Sequence, residues 1–429
     1  MGCSGRTLRG QLVTPTPQSR AGARIGWIVV ATTLGAIAGA TLTPAGDPRA
    51  APSFGCVFCG ERALADVLVN VILFAPLGVG LALLGIRTRT ALLAGAFVSA
   101  LIELAQLVIP GRDPSIGDVI VNAGGTMTGM AFVGIVTELA RMDDRVAARL
   151  SIAAACDVAL AVLVTGWLLQ PSFPRTAYWG QWTPNLGHLE RYRGRVRSAR
   201  IDGVEVRSRR IERSAWVREA VLGGGPVEVD FVAGPPVTRL ASLLSVYDQD
   251  QREIFLLGPD RDDLVLRLRT RARGWRLDQP DLRASGAWPD LEPGTRDTVS
   301  ALSPSRGEWC LEGPAERHCG LGFTVGAGWG ILYYAEWFPG WLRVLLGAVW
   351  SAALLLATGF LIRRRWEALV AGGIVIVALA ALPGTVGLRP TRGIEWAGAV
   401  LGLAVGMVWR STIRFSPALN RGLDRGTPS

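Results

Sequence analysis

Long apolar runs alternate along this chain with short arginine-bearing breaks. Eight runs, near 25–42, 65–85, 90–110, 116–140, 152–170, 340–362, 367–388 and 394–410, are each close to membrane-spanning length. A helix rises 1.5 Å per residue, so roughly 20 residues cover the ~30 Å of hydrocarbon in a bilayer. The pattern predicts a polytopic α-helical membrane protein with about eight transmembrane helices. Run 116–140 fits least well, being rich in glycine and polar at its start.

Between spans five and six the period changes. "VEVDFV", "ASLLSVYD", "REIFLLG" and "DLVLRLRT" are short β-prone runs, and turn-forming stretches such as "DQDQ" and "PDRDD" separate them. Residues 241–270 read as a three-strand meander. Strands at this spacing predict an all-β sandwich inserted between helices five and six. The expected division is a tail 1–24, a five-helix membrane domain 25–170, the sandwich 171–335, helices six to eight in 336–410, and a tail 411–429.

Charge adds an orientation. The net charge is +10, and the chain has no lysine, so every side-chain cation apart from histidine is arginine. Segments 1–24, 86–90, 141–149, 363–367 and 410–429 hold 16 Arg against 4 Asp or Glu, and eight spans put all five on one side. The positive-inside rule makes that side cytoplasmic. Both termini are then inside and the β domain is extracytoplasmic. Residues 171–335 carry 23 Arg and 21 acids. The basic excess therefore faces anionic lipid, and no nucleic-acid partner is expected. No apolar run precedes Cys3, so the first span is expected to stay as an anchor, with neither a cleaved nor a lipoprotein signal.

Cys56, Cys59, Cys310 and Cys319 fall on the outer side, and Cys3 and Cys156 in or near the cytoplasm. Outer thiols meet oxidising conditions. Cys310–Cys319 is the first disulfide candidate; Cys56–Cys59 reads as a second, ahead of a metal half-site or redox pair. No metal or cofactor is expected. His188 and His318 are unclustered, and Asp248, Asp250, Asp260, Asp262 and Asp263 read as solvated hairpin turns before a calcium site. Trp179, Trp182, Trp216, Trp275 and Trp288 read as sandwich core before sugar platforms.

The membrane part carries polar groups that hydrocarbon penalises. In "IELAQLVIPGRDPSIGDVIVNAGG", residues 102–125, Glu103 and Gln106 share a helix face just before an outer turn. Arg112 lies in the turn, and Asp118 and Asn122 share a face just after it. Span two opens with Asp66 and Asn70 at the same i, i+4 spacing. Three helices thus offer Asp66, Asn70, Glu103, Gln106, Arg112, Asp118 and Asn122 to one outer layer, a candidate ligand-binding ring, since such residues normally face a bundle interior or a water-filled cavity.

These residues also carry a resemblance. "DVLVNVILFAPLG" followed by "IELAQLVIPGRDPSIGDVIVNAGGTMTG" resembles the VanZ-like family of bacterial membrane proteins over about residues 25–140. The matching positions are Asp66, Asn70, Phe74, Pro76, Gly78, Glu103, Gln106, Arg112, Asp118, Asn122, Gly125 and Gly129; many members have His where this chain has Asn70. The resemblance implies a cell-envelope role, the family's named member being associated with low-level teicoplanin resistance, but supplies no reaction. The meander "LLSVYDQDQREIFLLGPDRDDLVLRLRT" resembles concanavalin A-like, laminin-G-like sandwiches, which often bind carbohydrate; a fold alone does not fix function.

"RDPSIGDVIVNAGGTMTGM" and "RPTRGIEWAGAVLGLAVGM" align at an offset of 277, pairing Arg112 with Arg389, Asp118 with Glu395, Gly125 with Gly402 and Gly129 with Gly406. If this is a repeat, helices seven and eight echo three and four, and Arg389 and Glu395 become second-repeat partners of the ring. Chance similarity between glycine-rich apolar helices is the alternative. Three functions follow. One is an envelope-accessory role, binding membrane lipid headgroups, envelope glycan or lipid-linked glycan and affecting glycopeptide sensitivity. The second is an enzyme acting on a lipid-linked phosphate or glycan, with Glu103 or Asp118 as acid/base and Arg112 on the phosphate. The third is a transporter-like or purely structural membrane protein. The membrane part has no histidine and no Ser/His/Asp arrangement, so the leaning is away from an enzyme.

Overall fold

All eight apolar runs are helical. In a computed structural model describing residues 20–44, 58, 60–112, 114–187 and 189–414, the first five are α1 (Arg20–Thr41), α2 (Ala63–Leu83), α3 (Thr88–Gln106), α4 (Ile116–Arg141) and α5 (Asp144–Leu169). Two short helices, α6 (Ser214–Leu222) and α7 (Arg271–Gly274), belong to the β domain. After it come α8 (Gly340–Leu361), α9 (Arg365–Ala380), the single turn α10 (Leu382–Thr385) and α11 (Gly393–Arg414). Cys3, Cys56, Cys59, Asp113 and His188 lie outside the described residues.

Among the described residues six helices, α1 to α5 and α8, are long and apolar enough to cross a membrane. Run 367–388 is not one continuous helix: α9 has 16 residues, and the chain then re-forms as α10 around Pro383. Proline has no N–H to continue the ladder. α11 has 22 residues, with Glu395 in its first turn and Arg410 near its end.

Glycine decides how the helices pair. A Cβ on Gly78 of α2 would collide with the carbonyl of Thr126 on α4, and one on Gly129 of α4 with that of Ala75 on α2. Only glycine lets two backbones approach this closely. α8 and α11 repeat the arrangement: Gly359 faces the Leu403 carbonyl, and Gly402 and Gly406 face those of Ala352 and Leu356. Gly125, Thr126 and Gly129 thus stand 277 residues before Gly402, Leu403 and Gly406. Their partners Val71, Ala75 and Gly78 stand 281 before Ala352, Leu356 and Gly359. Helix eight does echo helix four, and helix six echoes helix two. The expected echo of helix three in helix seven fails, because α9 packs on α5 while α3 packs on α4.

The insert is a sandwich of two six-stranded antiparallel sheets. One has the order β4 (Arg210–Ile211), β1 (Tyr178–Trp182), β6 (Leu244–Asp248), β7 (Glu253–Asp260), β8 (Asp263–Leu268), β9 (Leu282–Ala284). The other has β12 (Arg317–Leu321), β11 (Glu308–Glu312), β10 (Arg296–Ser305), β5 (Val227–Val232), β2 (Arg195–Ile201), β3 (Val204–Glu205). The predicted meander is β6–β7–β8, with Leu257 opposite Leu244 on one side and Leu266 on the other. Asp248 Oδ1 holds its first turn by accepting the N–H groups of Asp250 and Arg252, each at 2.9 Å. β5 alternates as its sequence predicts, burying Val227, Val229 and Phe231.

Trp288 stacks on Phe231 at 4.9 Å in this core, and Trp182 and Trp216 pack against it. Trp275 departs from the core reading: it is exposed and meets Trp167 of α5 edge-on at 6.3 Å. Cys310 and Cys319 form the expected disulfide between adjacent strands β11 and β12. β7 is buried on both faces, because the sheet's second face also covers polar pairs. There Arg267 meets Asp281 at 2.6 Å, and Arg283 meets Asp260 at 2.6 Å.

Candidate functional site

The turn between α3 and α4 is built by side chains that complete helix ends. A helix leaves its first N–H groups and last carbonyls without intrahelical partners. Ser115 caps α4 by accepting the Gly117 N–H at 3.0 Å, and Glu103 Oε2 accepts the Ser115 N–H at 2.7 Å. Arg112 reaches across to the end of α1. Its guanidinium donates to the carbonyls of Ala40 at 2.7 Å and Thr43 at 3.0 Å, while Gln106 donates to Thr41 O at 3.1 Å. A cation at a helix C-terminus also complements the helix dipole. Asn122 donates to Ser99 Oγ at 2.9 Å between α4 and α3, and its own Oδ1 is buried without a hydrogen-bond partner.

The predicted ring therefore divides in two. Glu103, Gln106 and Asn122 are buried and each bonds a neighbouring segment. Asp66 is exposed, and Asn70 and Asp118 are half-buried. Asn70 Nδ2 donates to Asp118 Oδ1 at 3.1 Å, joining α2 to α4, and Asp66 lies within electrostatic reach of Asp118 and of Arg62. These three form an open patch of two carboxylates and a carboxamide. Both carboxylates sit in first helical turns, where the dipole favours negative charge.

Arg389 and Glu395 are not brought to this patch. Arg389 pairs with Glu308 of β11 at 3.0 Å. Glu395 is buried, bonds the Thr324 hydroxyl, and accepts the Arg392 N–H at 3.1 Å at the start of its own helix. The second repeat thus spends its polar pair on holding the chain where it leaves the sandwich.

Sequence reasoning missed the groups beside the patch. Arg62, just ahead of α2, pairs with Asp278 at 2.9 Å, with side chains 10% and 5% exposed. Its guanidinium lies 3.2 Å from the Tyr334 ring centroid, a cation–π contact. Burial pushes Arg62 below and Asp278 above their ordinary values, against the attraction of the pair. The Arg276 carbonyl accepts the Leu64 and Ala65 N–H groups at 3.1 and 3.2 Å, so the sandwich's own backbone caps α2. Glu336 is pushed up to about 7 by burial, with Asp281 and Asp278 adding and Arg267 opposing; its Oε2 is buried without a hydrogen-bond partner. The sole local signal was a charge immediately ahead of an apolar run, which does not name a partner 216 residues away.

Residues 38–137 match the model of the VanZ/LLP1 family, a stretch that covers the end of α1, all of α2 and α3 and most of α4. No curated protein and no solved structure matches the chain.

Proposed function

We propose that this multi-pass membrane protein, whose residues 38–137 form a VanZ/LLP1-type segment, binds the polar headgroup of an envelope lipid or lipid-linked glycan at Asp66, Asn70 and Asp118. The reading extends to the cell: a bacterial cytoplasmic membrane, both termini inside, the sandwich outside, and altered sensitivity to glycopeptide antibiotics. The observation that carries it is the open pair of carboxylates. Asp66 and Asp118 stand in the first turns of α2 and α4 on either side of Asn70, none of the three fully buried, and helix clamping does not require two carboxylates there. Carboxylates and a carboxamide side by side suit the hydroxyls of a sugar or glycerol, or an ammonium headgroup. The sandwich's resemblance to carbohydrate-binding folds agrees with a glycan-bearing ligand. The other four, Glu103, Gln106, Arg112 and Asn122, have a second reading as helix clamps, favoured because each bonds a neighbouring backbone or hydroxyl.

Asp118→Asn keeps a carbonyl acceptor for Asn70 while deleting the charge. Together with Asp66→Asn it should leave the melting temperature in detergent within a few degrees of wild type. It should also abolish co-purified lipid or glycan and any glycopeptide phenotype. Unchanged lipid content and phenotype in the folded double variant would remove the patch from the function. Arg112→Ala should instead lower the melting temperature, with phenotype following the amount of folded protein.

A further inference from the structure

A cavity of about 460 Å³ lies where the sandwich meets the chain entering α2, and arginine dominates its walls. Arg252 comes from the β6–β7 turn, Arg269 from the end of β8, Arg273 from α7 and Arg276 from the loop after it, with Glu61 and Glu253 as the acids present. The volume falls within the range of small-molecule sites.

The cations here are weakly matched. The separations are 3.6 Å from Arg269 to Asp248 and 3.5 Å from Arg252 to Asp250, longer than a charge-assisted hydrogen bond. Arg276 donates to the Phe58 carbonyl, a neutral acceptor, at 3.1 Å and lies 5.0 Å from the Phe58 ring centroid. Arg273 Nη1 is buried without a hydrogen-bond partner. Glu253 lies 3.9 Å from Arg267, which is held at 2.6 Å by Asp281. Burial, together with the like charges of Arg252 and Arg273, holds Arg269 below its ordinary value, against the attraction of Asp248 and Glu61. Convergent, under-neutralised guanidinium groups are costly unless an anion joins them, and their planar forks match the oxygens of a phosphate.

We propose that this cavity binds a phosphate-bearing ligand, held by Arg252, Arg269 and Arg273. The inference stands apart from the carboxylate patch and survives if that reading fails. Gly60 and Glu61 line the cavity immediately ahead of α2, so a ligand here sits beside the end of a membrane-spanning helix. The phosphate can belong to a lipid headgroup or to a soluble compound.

The test is native mass spectrometry of the full chain released from detergent. It is titrated separately with phosphatidylglycerol and with inorganic pyrophosphate, at low and high ammonium acetate. At least one probe should give a single saturable adduct that weakens with salt. Arg252→Gln/Arg273→Gln should weaken it tenfold or more, while Arg197→Gln, an exposed arginine on β2, leaves it unchanged. Adducts with the lipid alone assign a lipid headgroup; adducts with pyrophosphate alone assign a soluble phosphate. Arg252 is exposed on a turn, so Arg252→Gln alone keeps the test open if the double variant misfolds, and a loss of about threefold is expected. No saturable adduct with either probe, or adducts undiminished in both variants, overturns the proposal. Asp66→Asn/Asp118→Asn should leave pyrophosphate binding intact, which separates failure of this site from failure of the patch.

Discussion

The ion pair between Arg62 and Asp278 decides whether the sandwich is joined to the membrane helices by electrostatic attraction or held there despite its cost. The two groups are 2.9 Å apart and almost fully covered, and burial drives each towards its neutral form. Arg62 Nε and Nη1 are also buried without hydrogen-bond partners. Desolvation therefore offsets much of the attraction, and the pair contributes little net stability compared with an apolar replacement. Removing one partner strands the other charge. Asp278→Leu should then cost about 3–5 kcal/mol, as should Arg62→Met. Arg62→Met/Asp278→Leu should lie within about 1 kcal/mol of wild type, because a packed apolar pair of similar volume has no charge to desolvate. The coupling energy of the cycle would then exceed about 3 kcal/mol, against the 0.5–3 kcal/mol range of ordinary neighbours. The assay is equilibrium unfolding in detergent micelles followed by tryptophan fluorescence. A double variant as unstable as the sum of the two singles would refute the reasoning, showing independent contacts where a shared desolvation cost is argued.

Glu336, raised from its ordinary 4.5 to about 7, holds a proton in the folded state that the unfolded chain has released above its own value. Stability should fall as pH rises through 7, by at most about 3 kcal/mol; Glu336→Gln should flatten the melting temperature between pH 5 and 8, and an unchanged slope would assign the effect to other groups. Gly129→Ala should destabilise the α2–α4 pair by about 1–3 kcal/mol, whereas Gly124→Ala, five residues earlier with open space around its Cβ, should be neutral or stabilising; equal effects at both sites would contradict the close approach. Reduction of Cys310–Cys319 should lower the sandwich's stability by about 2–3 kcal/mol for so short a loop, read as a lower melting temperature absent from a Cys310→Ser/Cys319→Ser variant. An impermeant thiol reagent should label Ser115→Cys but not Thr88→Cys in intact cells, and labelling at 88 from outside would invert the proposed orientation.

Features with a local cause were legible in the sequence. The apolar runs, the β6–β7–β8 meander and the Cys310–Cys319 loop each follow from neighbours a few residues apart. So does the i, i+4 spacing of Asp66 with Asn70 and of Asp118 with Asn122. Their destinations were less legible. Glu103, Gln106 and Arg112 looked like members of one ring, yet they bond the Ser115 N–H and the carbonyls at the end of α1, whose need for partners no pattern announces. Arg62 with Asp278 and Arg389 with Glu308 depend on how a distant domain settles on the helices. The short α9 was missed because apolar residues continue past the point where the helix ends; only Pro383 hinted at the break.

The paired glycine contacts of α2 with α4 and of α8 with α11 have a mechanical consequence. The two helix pairs are similarly packed halves of the membrane part, and the junction between them is pinned at both ends. At one end the sandwich grips both halves, α2 through Arg276 and Asp278, and the approach to α11 through Glu308. At the other, Arg363, which follows α8, donates to the carbonyls of Leu139 and Met142 and pairs with Asp144 at 2.7 Å. Trp409 of α11 meets Phe132 of α4 at 6.0 Å nearby. Alternating access needs one half to rock against the other, so each stroke would have to break one of these attachments. In this arrangement the molecule holds its two helix pairs at one separation. Joining its halves by a cross-link between Phe132→Cys and Trp409→Cys should leave its cellular phenotype intact, whereas a carrier cycling between two faces would stop.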